Sequence, residues 1–243
     1  MRLNRYISDA GRCSRREADR LITEGRVKIN GKVAVLGQKV MPGDKVTVNG
    51  RLIENGAPKK YLLLYKPRGI VCTADPREKY NIVDYLGYPE RVYPVGRLDK
   101  DSEGIIIMTS DGDIVNRLLR AAGGHEKEYQ VTVDKPVTED FARKMAAGVP
   151  ILDRVTLPCR VKRTGKYTFD IVLIQGLNRQ IRRMCEYFGY NVTQLKRVRI
   201  MNIKIGEMQP GDWRELTKEE MDTLMRTLEE KEKNAAGAEA EEE

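Results

Sequence analysis

The chain has 243 residues, 40% hydrophobic and 33% charged, the composition of a globular protein with room for one large domain or two small ones. Its net charge of +8 is unevenly spread: residues 1–60 carry +8, 61–213 carry +6 and 214–243 carry −6, so the basic head points to a polyanion, above all nucleic acid. No apolar run approaches the roughly 18 residues of a membrane helix, and four scattered cysteines with a single histidine, His125, argue against a zinc site or a disulfide framework.

In chain order, "RLNRYISDAG" predicts an amphipathic helix with Leu3, Tyr6 and Ile7 inward and Gly11 ending it. "CSRREADRLI" predicts a second, with Ser14 and Glu17 as a capping box and Ala18, Leu21 and Ile22 on the core face. "VKINGKVA" and "VTVNGRLI" follow, each with Asn-Gly between alternating apolar residues, the strongest short hairpin cue. Two helices and short strands in fewer than 60 residues make a module of RNA-binding size. We expect this unit over residues 1–56 and a linker over 57–60, within "IENGAPKK" (53–60).

The next segment offers strands at 61–65, 69–73, 104–109, 129–133 and 167–174, and helices at 111–121, 138–148 and 178–189. In the last, Asn178 is placed to cap, and Ile181, Met184, Cys185 and Phe188 form a core stripe. Arg179, Arg182 and Arg183 then fall on or beside the opposite face. Strands dominate without strict alternation with helices, so the expected class is α+β rather than doubly wound. A capping box at Thr217 and Glu220 opens a final helix with Met221, Leu224, Met225 and Leu228 as its stripe. The second domain is therefore expected over 61–228, and residues 229–243 are expected to be a disordered acidic tail.

There is no phosphate loop, no dinucleotide fingerprint and no histidine-based triad. The N-terminus lacks an apolar signal-peptide core, so a cytoplasmic protein is expected. With one histidine, acid–base work falls to carboxylates, Lys or Tyr. Five charged residues crowd Arg97–Glu103 just before the apolar "GIIIMT". Asp99 there reads first as turn chemistry, with a reacting carboxylate as the alternative. Tyr129 in "EKEYQVTV" reads as half-buried packing or as an aromatic platform. Arg182 in "GLNRQIRRM" reads as a solvated helix face or as a partner for a carboxylate, and His125 as a loop residue.

Together these contexts resemble a family. "GRLDKDSEG", "KEY" and "GLNRQIRRMCEYFGY" are similar to the three motifs of RNA pseudouridine synthases, in the expected order. "RLNRYISDAGRCSRREADRLITEGRVKINGK" resembles an S4 RNA-binding domain, and "YKPRGIVCT" resembles the opening of the family's catalytic domain. The likeness covers residues 1 to about 225, and the fuller run through "RVRIMNI" is most similar to the family's ribosomal large-subunit branch.

The resemblance implies an α+β fold with a small S4 domain and a mixed, largely antiparallel catalytic sheet flanked by helices. It implies isomerisation of a uridine to pseudouridine in 23S ribosomal RNA, with a tRNA as a second candidate substrate. The N1–C1′ bond breaks, the base turns while bound, and C5 joins C1′, so no cofactor or metal is called for. Asp99 would be the catalytic carboxylate, as nucleophile or as base. Arg182 would favour its ionised form and hold it through a directional hydrogen bond. Tyr129 would stack on a flipped-out base. Ile181 would pack against that base or serve only the core, and Arg97 would organise the turn or touch flanking RNA. Asp101 and Glu103 fall to loop and surface roles. Arg2, Arg12, Arg15, Arg16, Arg20 and Lys28 are candidate phosphate contacts, which position RNA without reading bases. We expect a monomer that acts on RNA, with no DNA or membrane partner. The rival readings are a non-catalytic S4-headed RNA-binding or ribosome-assembly protein and an S4-headed methyltransferase. Asp99, Tyr129 and Arg182 together speak against the first, and the missing Gly-rich cofactor loop against the second.

Overall fold

The computed structural model describes residues 1–54, 56, 58–119 and 124–241, with 235–241 described as backbone only. The chain divides into two compact units. One comprises Met1–Lys60, Tyr88–Val92 and Thr109–Gly112, and the other the remaining residues.

In the first unit, helices α1 (Leu3–Asp9) and α2 (Arg15–Thr23) pack on strands β1 (Val27–Ile29), β2 (Lys32–Val33), β3 (Val46–Val48) and β4 (Arg51–Ile53). Only half of the predicted capping box forms: the Glu17 amide donates to Ser14 Oγ at 3.1 Å, while the Glu17 carboxylate accepts from Arg20 at 2.6 Å. Both Asn-Gly turns put two successive residues at positive φ: 49° and 81° at Asn30 and Gly31, 51° and 77° at Asn49 and Gly50. That backbone matches the twist of a two-residue hairpin. The strands run in the order β2-β1-β3-β4, all antiparallel. Leu3, Ile7, Ala18, Val27 and Val46 form the buried centre.

The second unit is built on a nine-stranded sheet. Its elements, in chain order, are β5 (Tyr61–Lys66), α3 (Ile82–Leu86), β6 (Tyr93–Pro94), β7 (Glu103–Thr109), α4 (Gly112–Leu119), β8 (Lys127–Val133), α5 (Glu139–Ala147), β9 (Pro150–Ile151) and β10 (Arg154–Val155). There follow β11 (Arg160–Arg163), β12 (Thr168–Leu173), α6 (Gln180–Tyr187), β13 (Val192–Ile200), β14 (Ile203–Lys204), β15 (Trp213–Glu215) and α7 (Lys218–Glu241). The main path is β11-β12-β8-β13-β7-β5-β15, with β14 on β13 and β6 on β7. The pairs β11–β12, β12–β8, β8–β13, β13–β14 and β5–β15 are antiparallel, and β13 with β7 is parallel. One core, with Phe141, Met145, Phe169, Ile171 and Met184, lies under α5 and α6. A second, with Leu63, Ile105, Ile107, Leu224 and Leu228, takes the stripe of α7.

Several expectations change. Residues 69–73 form no strand: Val71 makes only an isolated bridge to Asn81, because this stretch bends around the Lys66 head group, whose Nζ donates to Pro67 O and Ile70 O. Strand β13, the centre of the sheet, was missed because three cations and polar residues mask its alternation. Glu103 is no surface residue. It opens β7 buried, and accepts hydrogen bonds from Tyr65 and Gln194. Helix α7 runs on past residue 228, where the sequence pattern ended the second domain. Its Thr217 and Glu220 box forms as predicted, and Glu232, beyond the stripe, pairs with Arg117 at 2.9 Å. Residues 242–243 of the expected tail, 55 and 57 around the expected linker, and 120–121 of the helix expected over 111–121 lie outside the described residues.

Candidate active site

A cleft of about 680 Å³ opens in the second unit, between the turn before β7, the start of β8 and the loop into α6. Asp99, Tyr129, Ile181 and Arg97 line it, so a turn, a strand and a helix distant in sequence meet there. The apolar run Ile105–Met108 is wholly buried in β7 and anchors the Asp99 turn to the sheet. Gly104, at φ +113°, lets that strand lie against the Arg197 backbone of β13, where any Cβ would collide with Arg197. The Asp99 carbonyl accepts from the Ser102 amide at 3.1 Å, closing the turn. The Asp99 side chain is 31% exposed, at the mouth of the cleft.

Helix α6 supplies the cations. Ile181, Met184 and Cys185 bury one face, each large side chain contributing about 1.5–3 kcal/mol. That packing fixes the rest of the helix. Arg182 is not solvated: its side chain is only 8% exposed. Nη1 donates to Val192 O at 3.1 Å, and Nη2 to Asp101 O at 3.1 Å and Ser102 Oγ at 3.3 Å. Its Nε is enclosed without a hydrogen-bond partner and stands 3.9 Å from Asp99 Oδ2. The expected directional hydrogen bond is therefore absent. The guanidinium's other nitrogens are tied to three acceptors, and the remaining N–H faces the carboxylate at ion-pair distance. Burial, reinforced by the like charge of Arg179, holds the Arg182 pKa below its ordinary value, opposed by Asp99 and Asp101.

Asn178 does not cap α6. Arg179 occupies that position in a left-handed conformation, φ 49° and ψ 36°, with no side-chain cap. Asn178 instead accepts from Arg183 through its carbonyl at 3.1 Å. The Leu177 amide donates to Gln180 Oε1 at 3.0 Å, which stiffens the entry to the helix. The unusual backbone puts Arg179 Nη1 3.9 Å from Asp99 Oδ2, a second cation that pattern reading did not single out. Lys66 was also missed. It is fully buried, and burial pulls its pKa down to about 8, against the pull of Cys72, Asp99 and Asp101. A lysine ending an apolar strand just before proline was the available signal.

Tyr129 is half-buried on β8, directly opposite Ile171 of β12 and Arg197 of β13. Ile181 is both core and cleft wall, so the two roles left open for it coexist. Arg97 is exposed at the rim and has no hydrogen-bond partner among the described residues. His125 lies in a loop as expected, but is buried, with Nε2 3.1 Å from Arg117 O. Arg2, Arg12, Arg15, Arg16, Arg20 and Lys28 all belong to the first unit, and all are exposed. Arg20 is engaged by Glu17 at 2.6 Å and Glu24 at 3.8 Å. The other five have no ion-pair partner among the described residues. Within the described residues no helix is long and apolar enough to cross a membrane.

Residues 60–187 match the family model of RNA pseudouridylate synthases, and residues 1–46 that of the S4 domain. The chain is 55% identical, over 94% of its length and 80% of the relative's, to the dual-specificity RNA pseudouridine synthase RluF of Salmonella typhi. It is 38% identical to the ribosomal large subunit pseudouridine synthase B of Bacillus subtilis, over 96% of this chain and 99% of that one. A crystal structure of a pseudouridylate synthase superposes with a TM-score of 0.68 at 28% identity, covering 92% of this chain and 99% of that one. The motif order, the mixed sheet and these likenesses agree, and the chain belongs to the RNA pseudouridine synthase family, in the S4-headed group that includes RluF.

Proposed function

We propose that this enzyme converts a uridine of 23S ribosomal RNA to pseudouridine with Asp99 as its catalytic residue, and that a tRNA is a second substrate. The ribosomal name of one relative and the dual specificity of another support this choice of RNA. Residues 1–56 act as the RNA-binding head, 57–60 as a linker and 61–228 as the catalytic body. The enzyme works as a cytoplasmic monomer on RNA rather than DNA.

The observation that carries the assignment is the setting of Asp99. Its carboxylate stands at the mouth of the cleft with two guanidinium groups 3.9 Å away, one of them buried and immobilised. Two fixed cations at that distance attract and orient the carboxylate, whose oxygen is the group that attack on the sugar, or removal of its proton, needs. The target base leaves its stack at a cost of a few kcal/mol. Stacking on Tyr129 returns about 1–3 kcal/mol of that, with Ile181 against the other side of the ring. The N1–C1′ bond then breaks, the base turns within the walls of the cleft, C5 bonds to C1′ and gives up its proton to solvent, and the freed N1 takes up a proton. Arg97, at the rim, meets the flanking RNA.

Release of tritium from RNA carrying 5-tritiated uridine measures the reaction. Asp99→Asn should abolish release while RNA affinity stays within about threefold. Turnover retained in the variant would sink the assignment.

A further inference from the structure

Beyond Tyr129 the cleft continues toward the C-terminal end of α4, between Gly96, Leu119, His125 and Lys127. Two cations line this arm, Lys127 at the start of β8 and Arg197 on β13. Arg197 is 3% exposed. Its Nε donates to Ile105 O at 2.8 Å. Its Nη2 is enclosed with no hydrogen-bond partner among the described residues, and no carboxylate pairs with it there. Lys127 gives one of its three N–H groups to His125 O at 3.1 Å. The influences on it are burial, then Arg197 and then Lys231, all unfavourable to its charge, and its pKa falls to about 8. Lys231 of α7, held on Gly124 O at 2.6 Å, adds a third positive charge at the same end.

Arg197 is buried and Lys127 half-buried, and cations withdrawn from water without a counter-charge are costly, because each loses hydration. A fold that keeps two of them side by side in the wall of a cleft is short of an anion. The register says which one. Arg197 is directly across from Tyr129, so their Cβ atoms are about 5 Å apart. Lys127 precedes Tyr129 by two on the same face of β8, about 7 Å along the strand. A nucleotide stacked on Tyr129 carries a phosphate on each side of its sugar, within the span of these two side chains.

We propose that Lys127 and Arg197 form a phosphate subsite for the RNA backbone next to the target uridine, holding the flipped-out nucleotide in the cleft. The proposal rests on Tyr129 being the stacking face. Lys127 supplies the point charge that meets the phosphate, and Arg197, fixed by its bond to Ile105 O, adds a positive charge behind it. Neither reads the base, so the subsite serves every uridine the enzyme accepts.

The test compares wild type, Lys127→Met and Lys127→Arg in three assays: affinity for large-subunit ribosomal RNA, its dependence on salt, and binding of inorganic phosphate followed by phosphorus NMR. We expect Lys127→Met to weaken RNA binding about tenfold and to reduce the slope of log affinity against log salt by about 0.7–1. It should also abolish the Lys127-dependent part of the phosphate signal, and Lys127→Arg should restore all three. Unchanged affinity and slope in a folded Lys127→Met would overturn the proposal. So would loss of phosphate binding with RNA affinity intact, which would assign the site to a free phosphate. Tritium release is read separately. If wild type releases none from any RNA while Lys127→Met still weakens binding, the reading of function fails and the subsite stands.

Discussion

At the scale of single residues, the contact between Asp99 and Arg182 decides what the cleft can do. Their separation of 3.9 Å corresponds to an attraction between about 1 kcal/mol in water and about 4 kcal/mol near a protein surface. Asp99 is open to solvent, so the lower part of that range applies. Arg182 has a second role, because its three hydrogen bonds tie α6 to Val192 and to the turn holding Asp99. Arg182→Met should therefore lower turnover by 10²-fold or more while RNA affinity changes less than threefold. Equal losses in both would make Arg182 a phosphate contact. Lys66 gives a pH signature. Its folded pKa of about 8 lies below the 10.5 of the free side chain, so the folded state disfavours its charged form. The stabilisation linked to it is full above pH 10.5 and is lost as pH falls through about 8. Wild type should gain on Lys66→Met between pH 7.5 and pH 10 in denaturant midpoints. A constant gap would mean an ordinary pKa.

At the scale of elements, the site depends on two backbone devices. The left-handed Arg179 turns the start of α6 toward Asp99 at a cost of about 1–2 kcal/mol for a residue with a Cβ. The close parallel approach of β7 to β13 needs a residue without one at Gly104. Gly104→Ala would force the strands apart at the base of the Asp99 turn. We expect a loss of at least 2–3 kcal/mol in stability and loss of activity in whatever fraction still folds. Wild-type stability in that variant, measured by chemical denaturation, would show that the approach is loose. The elements themselves were unequally legible. The N-cap at Ser14, the capping box at Thr217 and the Asn-Gly hairpins formed as expected, because a cap or a two-residue turn is decided by four or five neighbours in the chain. Strand β13 was not visible. Its Arg197 and Arg199 are tolerated because Ile105 O on β7, Glu128 on β8 and Glu126 just before β8 receive them.

At the scale of the whole molecule, charge is the organising quantity. The first unit holds the basic excess of the N-terminal 60 residues on exposed side chains. If it grips RNA through phosphates, Arg12, Arg15 and Arg16 changed together to Glu should weaken binding by 10²-fold or more. The salt slope should fall by about 2, at about 0.7 per phosphate contact on single strands. The unfolding temperature should move little, because all three side chains are exposed. Unchanged affinity would remove this face from the RNA contact. The resemblance of three short motifs, in order, marked the family and singled out Asp99, Tyr129 and Arg182 as candidates, and the pattern of strands and helices marked the α+β class, since each depends on residue types and their sequence spacing. Only the tertiary structure decided that Arg182 is buried rather than solvated and that Glu103 is an interior acceptor. It also brought Arg179, Lys66, Lys127 and Arg197 around the same cleft. The physical reason is that burial and counter-charge belong to neighbours across the sheet, and a one-dimensional pattern does not contain the pairing of β7, β8 and β13 that supplies them.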